Sequence, residues 1–208
     1  MKYGMELEFF VSKKGKLVFP GDIGLPCDGL PILAELRTQP GPDAYMVVGE
    51  MVALLAATKY KLQKSGHAMQ LVPSMKVSPE LHGEIFRRGD IRKSQDKTQN
   101  LYGLRRPQIP FTITAGIHIH FSGYATKTRV SKCKECGHEE FAEHYHQIDI
   151  PSIVRALDGA FESIIKKSGR IPGEYELKPA YGFEYRSLPN NTTLWDIARV
   201  VMGKEVLK

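Results

Sequence analysis

Two stretches of this chain alternate so strictly between apolar and polar residues that a β-strand is the natural way to satisfy them. In YGMELEFFV, Tyr3, Met5, Leu7, Phe9 and Val11 fall opposite Gly4, Glu6, Glu8 and Phe10. In FTITAGIHIHFS, Phe111, Ile113, Ala115, Ile117, Ile119 and Phe121 fall opposite Thr112, Thr114, Gly116, His118, His120 and Ser122. Each polar face carries two ionisable groups two residues apart, Glu6/Glu8 and His118/His120, and the same spacing recurs at Glu35/Arg37 in ILAELRT and at Glu184/Arg186 in YGFEYRSL. On a strand such partners stand about 7 Å apart on one side. One pair is what any strand with a solvated face carries. Four pairs from distant parts of the chain predict a sheet face bearing four glutamates, two histidines and two arginines.

The rest of the chain supplies helices to cover the other face. Pro42 and Asp43 can start and cap a helix through MVVGEMVALLAATKYKL, which is apolar around most of its circumference and is expected to be largely buried on the sheet. Residues 70–75 read as a short strand, and the polar span 79–108 predicts loops and one short helix. Residues 124–147 break the pattern with basic residues, two cysteines and three histidines, as an insertion at a strand's end would. From Ile150, helical spacing with Pro151 in the first turn and Gly169 at the end predicts an amphipathic helix, and 192–202 a terminal one. The fold class expected is α+β, with a mainly antiparallel sheet and helices packed on one face.

Length and composition fit that expectation. At 208 residues one well-buried core suffices, so residues 1–208 are taken as a single domain. No apolar run approaches the ~20 residues of a membrane span, and the N-terminus has no signal-peptide pattern, so a cytoplasmic protein without a membrane partner is expected. Three cysteines, with Cys133 and Cys136 three apart, suit a reducing compartment and a metal site better than a disulfide framework. The net charge of +6 favours anionic partners, but no nucleic-acid-binding motif accompanies it and nucleic acid is not the favoured partner. The chain has no Walker sequence, no Gly-x-Gly-x-x-Gly after a strand and no Gly-x-Ser-x-Gly elbow, which argues against P-loop, Rossmann and serine-hydrolase chemistry.

Four carboxylates crowded on one face repel, and either protonation or cations must relieve them. Carboxylates with one or two imidazoles suit hard divalent ions such as Mg²⁺ or Mn²⁺, which in turn bind phosphate oxygens. Arg37 and Arg186 add forked donors matched to phosphoryl or carboxylate groups, so the face reads as a site for a nucleotide triphosphate and phosphoryl transfer.

These residues resemble those of the glutamine-synthetase-like carboxylate-amine ligases, the superfamily that includes glutamate-cysteine ligase and the amidoligases of bacteria and phages. YGMELEF is similar to that family's first strand, CDGLPILAELRT to its Asp-Gly followed by Glu-x-Arg, TAGIHIHFS to its Gly-x-His-x-His strand and YGFEYRSLPN to its closing Glu-x-Arg strand. The motifs run in the family's order from residue 3 to about 191, and the likeness is greatest to the small phage-type amidoligases, COOH-NH2 ligase type 2. The resemblance implies a curved sheet of the glutamine synthetase/glutamate-cysteine ligase kind and an ATP-dependent carbon-nitrogen ligase that forms an amide or peptide-like bond through an acyl phosphate. It implies Glu6, Glu8, Glu35, His118 and Glu184 as ligands of a Mg²⁺ or Mn²⁺ pair. Arg186 and Arg37 would act on the transferring phosphoryl group and His120 would orient substrate or phosphate. Its substrates would be a small-molecule or peptide carboxylate and an amine. The phage likeness would place the protein in a host cytoplasm.

Three departures from the family pattern carry their own expectations. Glu176 stands where relatives have a basic residue, so Lys178 or Arg170 is expected to contact the ATP phosphates together with Arg186. The chain runs only a short way past Trp195, where larger relatives continue, and a homo-oligomer is expected to compensate. CKECGHEEFAEHYH resembles one knuckle of a zinc ribbon and reads either as an ordinary polar loop or as a structural Zn²⁺ site with Cys133, Cys136, His144 and His146 as the set and His138 as a spare. Two other functions fit the residues: a guanidino or amino-acid kinase of the related fold, and a zinc-stabilised module that binds nucleic acid or protein.

Overall fold

The computed structural model describes residues 1–27, 29–89, 98–100, 104–105, 111–123, 125–132, 139–145, 149–178 and 181–203; for 98–100, 104–105, 125–132 and 139–145 it describes the backbone alone. The alternation at the N-terminus becomes a long strand, β1 (Tyr3–Lys13), in which Tyr3, Met5, Leu7, Phe9 and Val11 are all buried, as the pattern requires. Lys14 and Gly15, both at positive φ (50° and 77°), reverse the chain into β2 (Lys16–Val18), the turn geometry that matches strand twist. β3 (Leu33–Arg37) returns antiparallel to β1.

Asp43 caps the first helix, α1 (Ala44–Lys64), its side chain accepting the Tyr45 N–H at 2.7 Å. Burial of α1 differs from the expectation. Ala44, Val47, Val48, Met51 and Leu62 enter the core, whereas Met46 is 67% and Tyr60 60% exposed. A helix lying on a sheet can bury only one stripe, however apolar the remainder of its surface is.

The single strand expected at 70–75 is instead two, β4 (Ala68–Gln70), paired with β1, and β5 (Ser74–Lys76). The span 79–108 yields α2 (Pro79–Arg88) and the short strands β6 (Thr98–Asn100) and β7 (Leu104–Arg105). The clearest strand of the sequence also divides, into β8 (Thr112–Thr114) and β9 (Gly116–Ser122). β8 leaves the main sheet to pair with β5, and the Ala115 N–H donates to the Pro73 carbonyl at 3.0 Å. The two halves feed different cores: Ile113 and Ala115 pack with Phe10, Ile32 and Ile85, while Ile117, Ile119 and Phe121 join the main one. Period-two alternation names a face but not the core that the face meets.

Residues 124–147, expected as an insertion, contain a hairpin of β10 (Ala125–Lys132) and β11 (Glu139–Tyr145). The amphipathic helix after Ile150 is broken at Phe161 into α3 (Ile150–Ala160) and α4 (Glu162–Ser168), with Pro151 in the first turn and Gly169 left-handed at the end. Then come β12 (Tyr175–Lys178), β13 (Gly182–Pro189) and α5 (Leu194–Met202).

The described strand pairs are all antiparallel. The main sheet runs β2-β1-β9-β13-β12-β6-β7, with β3 and β4 also on β1. Glu6 pairs at once with Arg37 of β3 and His118 of β9, so these two strands occupy opposite edges of β1. The apolar faces of β1, β9 and β13 form one core with α1, α3, α4 and α5. The chain is therefore α+β with a mainly antiparallel sheet. Among the described residues no helix is long and apolar enough to cross a membrane.

Candidate functional site

The register places three of the four spaced pairs side by side at the centre of the sheet and the fourth next to them. Glu6 lies opposite His118, Glu184 opposite His120, and Glu8 opposite Glu35. The side chains then reach diagonally. His118 Nδ1 stands 2.8 Å from Glu184 Oε1 and 3.7 Å from Glu6 Oε2, and His118 Nε2 stands 3.6 Å from Glu8 Oε2. His120 Nε2 leans over to Glu6 Oε1 at 3.2 Å. Gly4, its register partner on β1, leaves that side open because it has no side chain.

Glu184 is fully buried and gathers three cations. Besides His118, Arg186 Nη1 donates to its Oε1 at 2.8 Å and Lys178 Nζ stands 2.6 Å from its Oε2. Glu176 shares two of these partners, at 3.1 Å from Arg186 and 3.0 Å from Lys178. At the other edge, Arg37 Nε lies between Glu6 (3.2 Å) and Glu35, with its side chain 64% exposed. Glu8 accepts the Gly116 N–H at 2.8 Å, and the second oxygen of Glu35, Oε2, is buried without a hydrogen bond.

Arg186 owes its place to an irregularity in β13. Tyr185 pairs with Ile119 and Leu188 with Ile117, so three steps on β13 match two on β9, the signature of a β-bulge. The Arg186 N–H donates to the Glu174 carbonyl at 2.9 Å, the Glu174 N–H to Ser187 Oγ at 3.0 Å, and the Arg170 guanidinium to the Arg186 carbonyl. Arg170, expected to meet ATP phosphates, is thus buried and committed to a backbone carbonyl and to Glu174 at 3.4 Å. In this arrangement the guanidinium supports the strand that carries Arg186. Gly116 makes room for it, since a Cβ there would stand 2.9 Å from Arg170 Nη2.

The charges hold one another ionised. Burial and Arg186 pull the His118 imidazole down, but Glu8 and Glu184 outweigh them and raise it from 6.5 to about 9. Burial raises Glu6, yet hydrogen bonds from His118 and His120 hold it well below the carboxylate range. Burial likewise works against Glu184, and Arg186 and His118 keep it well below its ordinary value. For Arg186 the cost of burial is more than offset by Glu184, Glu8, Glu174 and Glu176, which raise its pKa.

Glu6, His118 and Glu184 each offer a ligand atom within 4.8 Å of the others, the one such group among the described residues. Two carboxylates and an imidazole suit a hard or borderline divalent ion, and the buried Glu35 oxygen is a further acceptor with no donor, so the residues present fit such an ion. Glu8 and Glu35 belong to the same face but not to that group. Cys133, Cys136, His138 and His146 lie outside the described residues. His144 is placed on β11 opposite Thr126, five residues beyond Glu139, whose partner Lys132 immediately precedes Cys133. About 17 Å of strand therefore separates His144 from Glu139.

Sequence reasoning missed one neighbour of the site, Tyr181, and named Glu176 only as the replacement of a basic residue. Tyr181 places its hydroxyl 2.6 Å from His120 Nδ1, and Glu176 bridges Arg186 and Lys178. The place of Glu176 was detectable: Glu174, Glu176 and Lys178 repeat the two-residue spacing on β12, a strand the sequence reading did not assign. Tyr181 stands just before a strand and carried no periodic signal.

Compared with family models, with curated proteins and with solved structures, the chain finds no match in any of the three.

Proposed function

We propose that this protein is an ATP-dependent carboxylate-amine ligase of the glutamine-synthetase-like kind, dependent on Mg²⁺ or Mn²⁺. The observation that carries the reading is the convergence of Glu6, His118 and Glu184 on one face of the sheet, with the half-buried guanidinium of Arg186 against Glu184. A divalent site with a fixed forked cation beside it is what a transferring phosphoryl group requires. The order of the four motifs along the chain supports the same reading, and a mainly antiparallel sheet with helices packed on it is compatible with that catalytic fold.

In this reading Glu6, His118 and Glu184 hold one ion, and Glu8 with Glu35 supply carboxylates for a second. When bound, such ions neutralise phosphate charge and orient a carboxylate nucleophile. The substrate carboxylate attacks the γ-phosphorus of ATP, ADP leaves, and an amine then attacks the acyl carbon of the acyl phosphate as phosphate departs. Arg186, fixed by the bulge of β13, meets the phosphoryl oxygens in both steps. Arg37, exposed at the sheet edge beside Glu6, would meet the phosphoryl group or substrate from that side.

The test is phosphate release from ATP over mixtures of carboxylates and amines with Mg²⁺ present, followed by mass spectrometry for a product lighter than its components by one water. Free phosphate with an amide product is the expected result. A stable phosphorylated acceptor without free phosphate would make the protein a kinase, and absence of Mg²⁺-dependent ATP binding would end the ligase reading.

A further inference from the structure

Both oxygens of Glu184 already face cations in the arrangement described, so a metal ion on that carboxylate competes with them. One oxygen accepts from Arg186 and faces His118, each at 2.8 Å, and the other faces Lys178 at 2.6 Å. The three cations differ in how readily they can leave. Arg186 is fixed through its own backbone, with its N–H on Glu174 and its carbonyl on Arg170, and it also holds Glu176. His118 is itself one of the candidate ligands and stays by changing partner. Lys178 ends β12, keeps a quarter of its side chain exposed, and carries its charge on a flexible four-carbon stem.

We propose that Lys178 is a built-in cation that occupies the Glu184 carboxylate until a divalent ion arrives, and that it is displaced from that carboxylate as the ion binds. The inference rests on the metal reading of the site, not on the ligase chemistry, and applies equally to a kinase. An ammonium 2.6 Å from a ligand oxygen opposes a metal on that oxygen, so apparent metal affinity is reduced by the fraction of molecules in which the lysine sits there.

The experiment titrates the full chain with Mn²⁺ alone and follows free Mn²⁺ by electron paramagnetic resonance. Lys178→Met keeps most of the stem and removes the charge, and is expected to bind Mn²⁺ about tenfold more tightly. Equal or weaker binding by the variant would overturn the proposal. A second measurement uses the unaltered protein: labelling of the Lys178 amine by an acylating reagent, quantified by peptide mass spectrometry, is expected to speed up several-fold when Mn²⁺ is added. Unchanged or slower labelling would overturn the displacement. If the unaltered protein takes up no Mn²⁺ at all, the metal reading fails and the proposal fails with it.

Discussion

His118 and Glu184 are joined at 2.8 Å although neither is the other's register partner. His118 lies opposite Glu6 on β1, Glu184 lies opposite His120 on β9, and the contact runs diagonally across the β9/β13 pair. The diagonal is what draws residues of three strands into one cluster, and it makes Glu184 the residue on which the site's charge balance turns.

Removing that carboxylate is expected to do more than prevent ligand binding. Glu184→Ala leaves Arg186, Lys178 and His118 facing a fully buried void, and breaking a buried ion pair by deleting one partner costs about 3–5 kcal/mol. Urea unfolding should show that loss. Glu184→Gln keeps the shape and should lose less stability, which makes it the cleaner test of Mn²⁺ and ATP binding, both expected to be abolished.

The ion-free protein should lose stability as pH rises. His118 has a folded pKa of about 9 against 6.5 unfolded, so its contribution is complete below 6.5 and disappears as pH climbs through about 9. The amount is on the order of 3 kcal/mol. Glu6 and Glu184 act in the opposite sense, for their depressed values give stability that is present above about 4.5 and is lost as acid protonates them. Melting curves from pH 4 to pH 10 should therefore peak between these limits. Since a metal-bound imidazole must be deprotonated, Mn²⁺ binding at pH 7.5 should release a proton, measurable in weakly buffered solution. His118→Asn should abolish that release.

Gly116 should tolerate no side chain. A Cβ there would stand 2.9 Å from both Arg170 Nη2 and the Leu188 carbonyl, backbone that cannot easily give way. Gly116→Ala is expected to cost about 1–3 kcal/mol and to disturb the bulge that carries Arg186. Thermal unfolding measures the first, and weakened ATP binding at saturating Mg²⁺ the second.

Tyr181 should set the tautomer of His120. Burial and then Glu184, Glu6 and Glu176 raise the phenol's pKa, so the hydroxyl stays protonated and is able to donate to Nδ1, 2.6 Å away. Nε2 stands 3.2 Å from a carboxylate oxygen of Glu6, which only accepts, so the ring proton is expected on Nε2 with Nδ1 as the acceptor from Tyr181. Ring ¹⁵N shifts should report the Nε2–H form in the wild type and a mixture of tautomers in Tyr181→Phe. An unchanged spectrum would separate the two residues functionally.

Much of this site was legible because a strand converts sequence spacing into spatial spacing. Glu6/Glu8, Glu35/Arg37, His118/His120 and Glu184/Arg186 could be assigned to one face from alternation alone. The misreadings have a common cause. The strand division at Ala115, the helix break at Phe161 and the exposed outer face of α1 all depend on which core an apolar residue meets, and a local pattern does not encode that. The place of Arg170 was illegible for a related reason, since it depends on a carbonyl on β13 and on the space left by a glycine on β9.

By itself, then, the sequence determined the faces: which side chains stand together on each strand is a consequence of backbone geometry with a period of two. Tertiary structure alone decided the partners. Strand order put β1, β9 and β13 side by side, register set Glu6 against His118, and an extra residue in β13 turned Arg186 onto Glu184. Pairings between residues more than a hundred positions apart are fixed by the packing of the whole sheet against its helices.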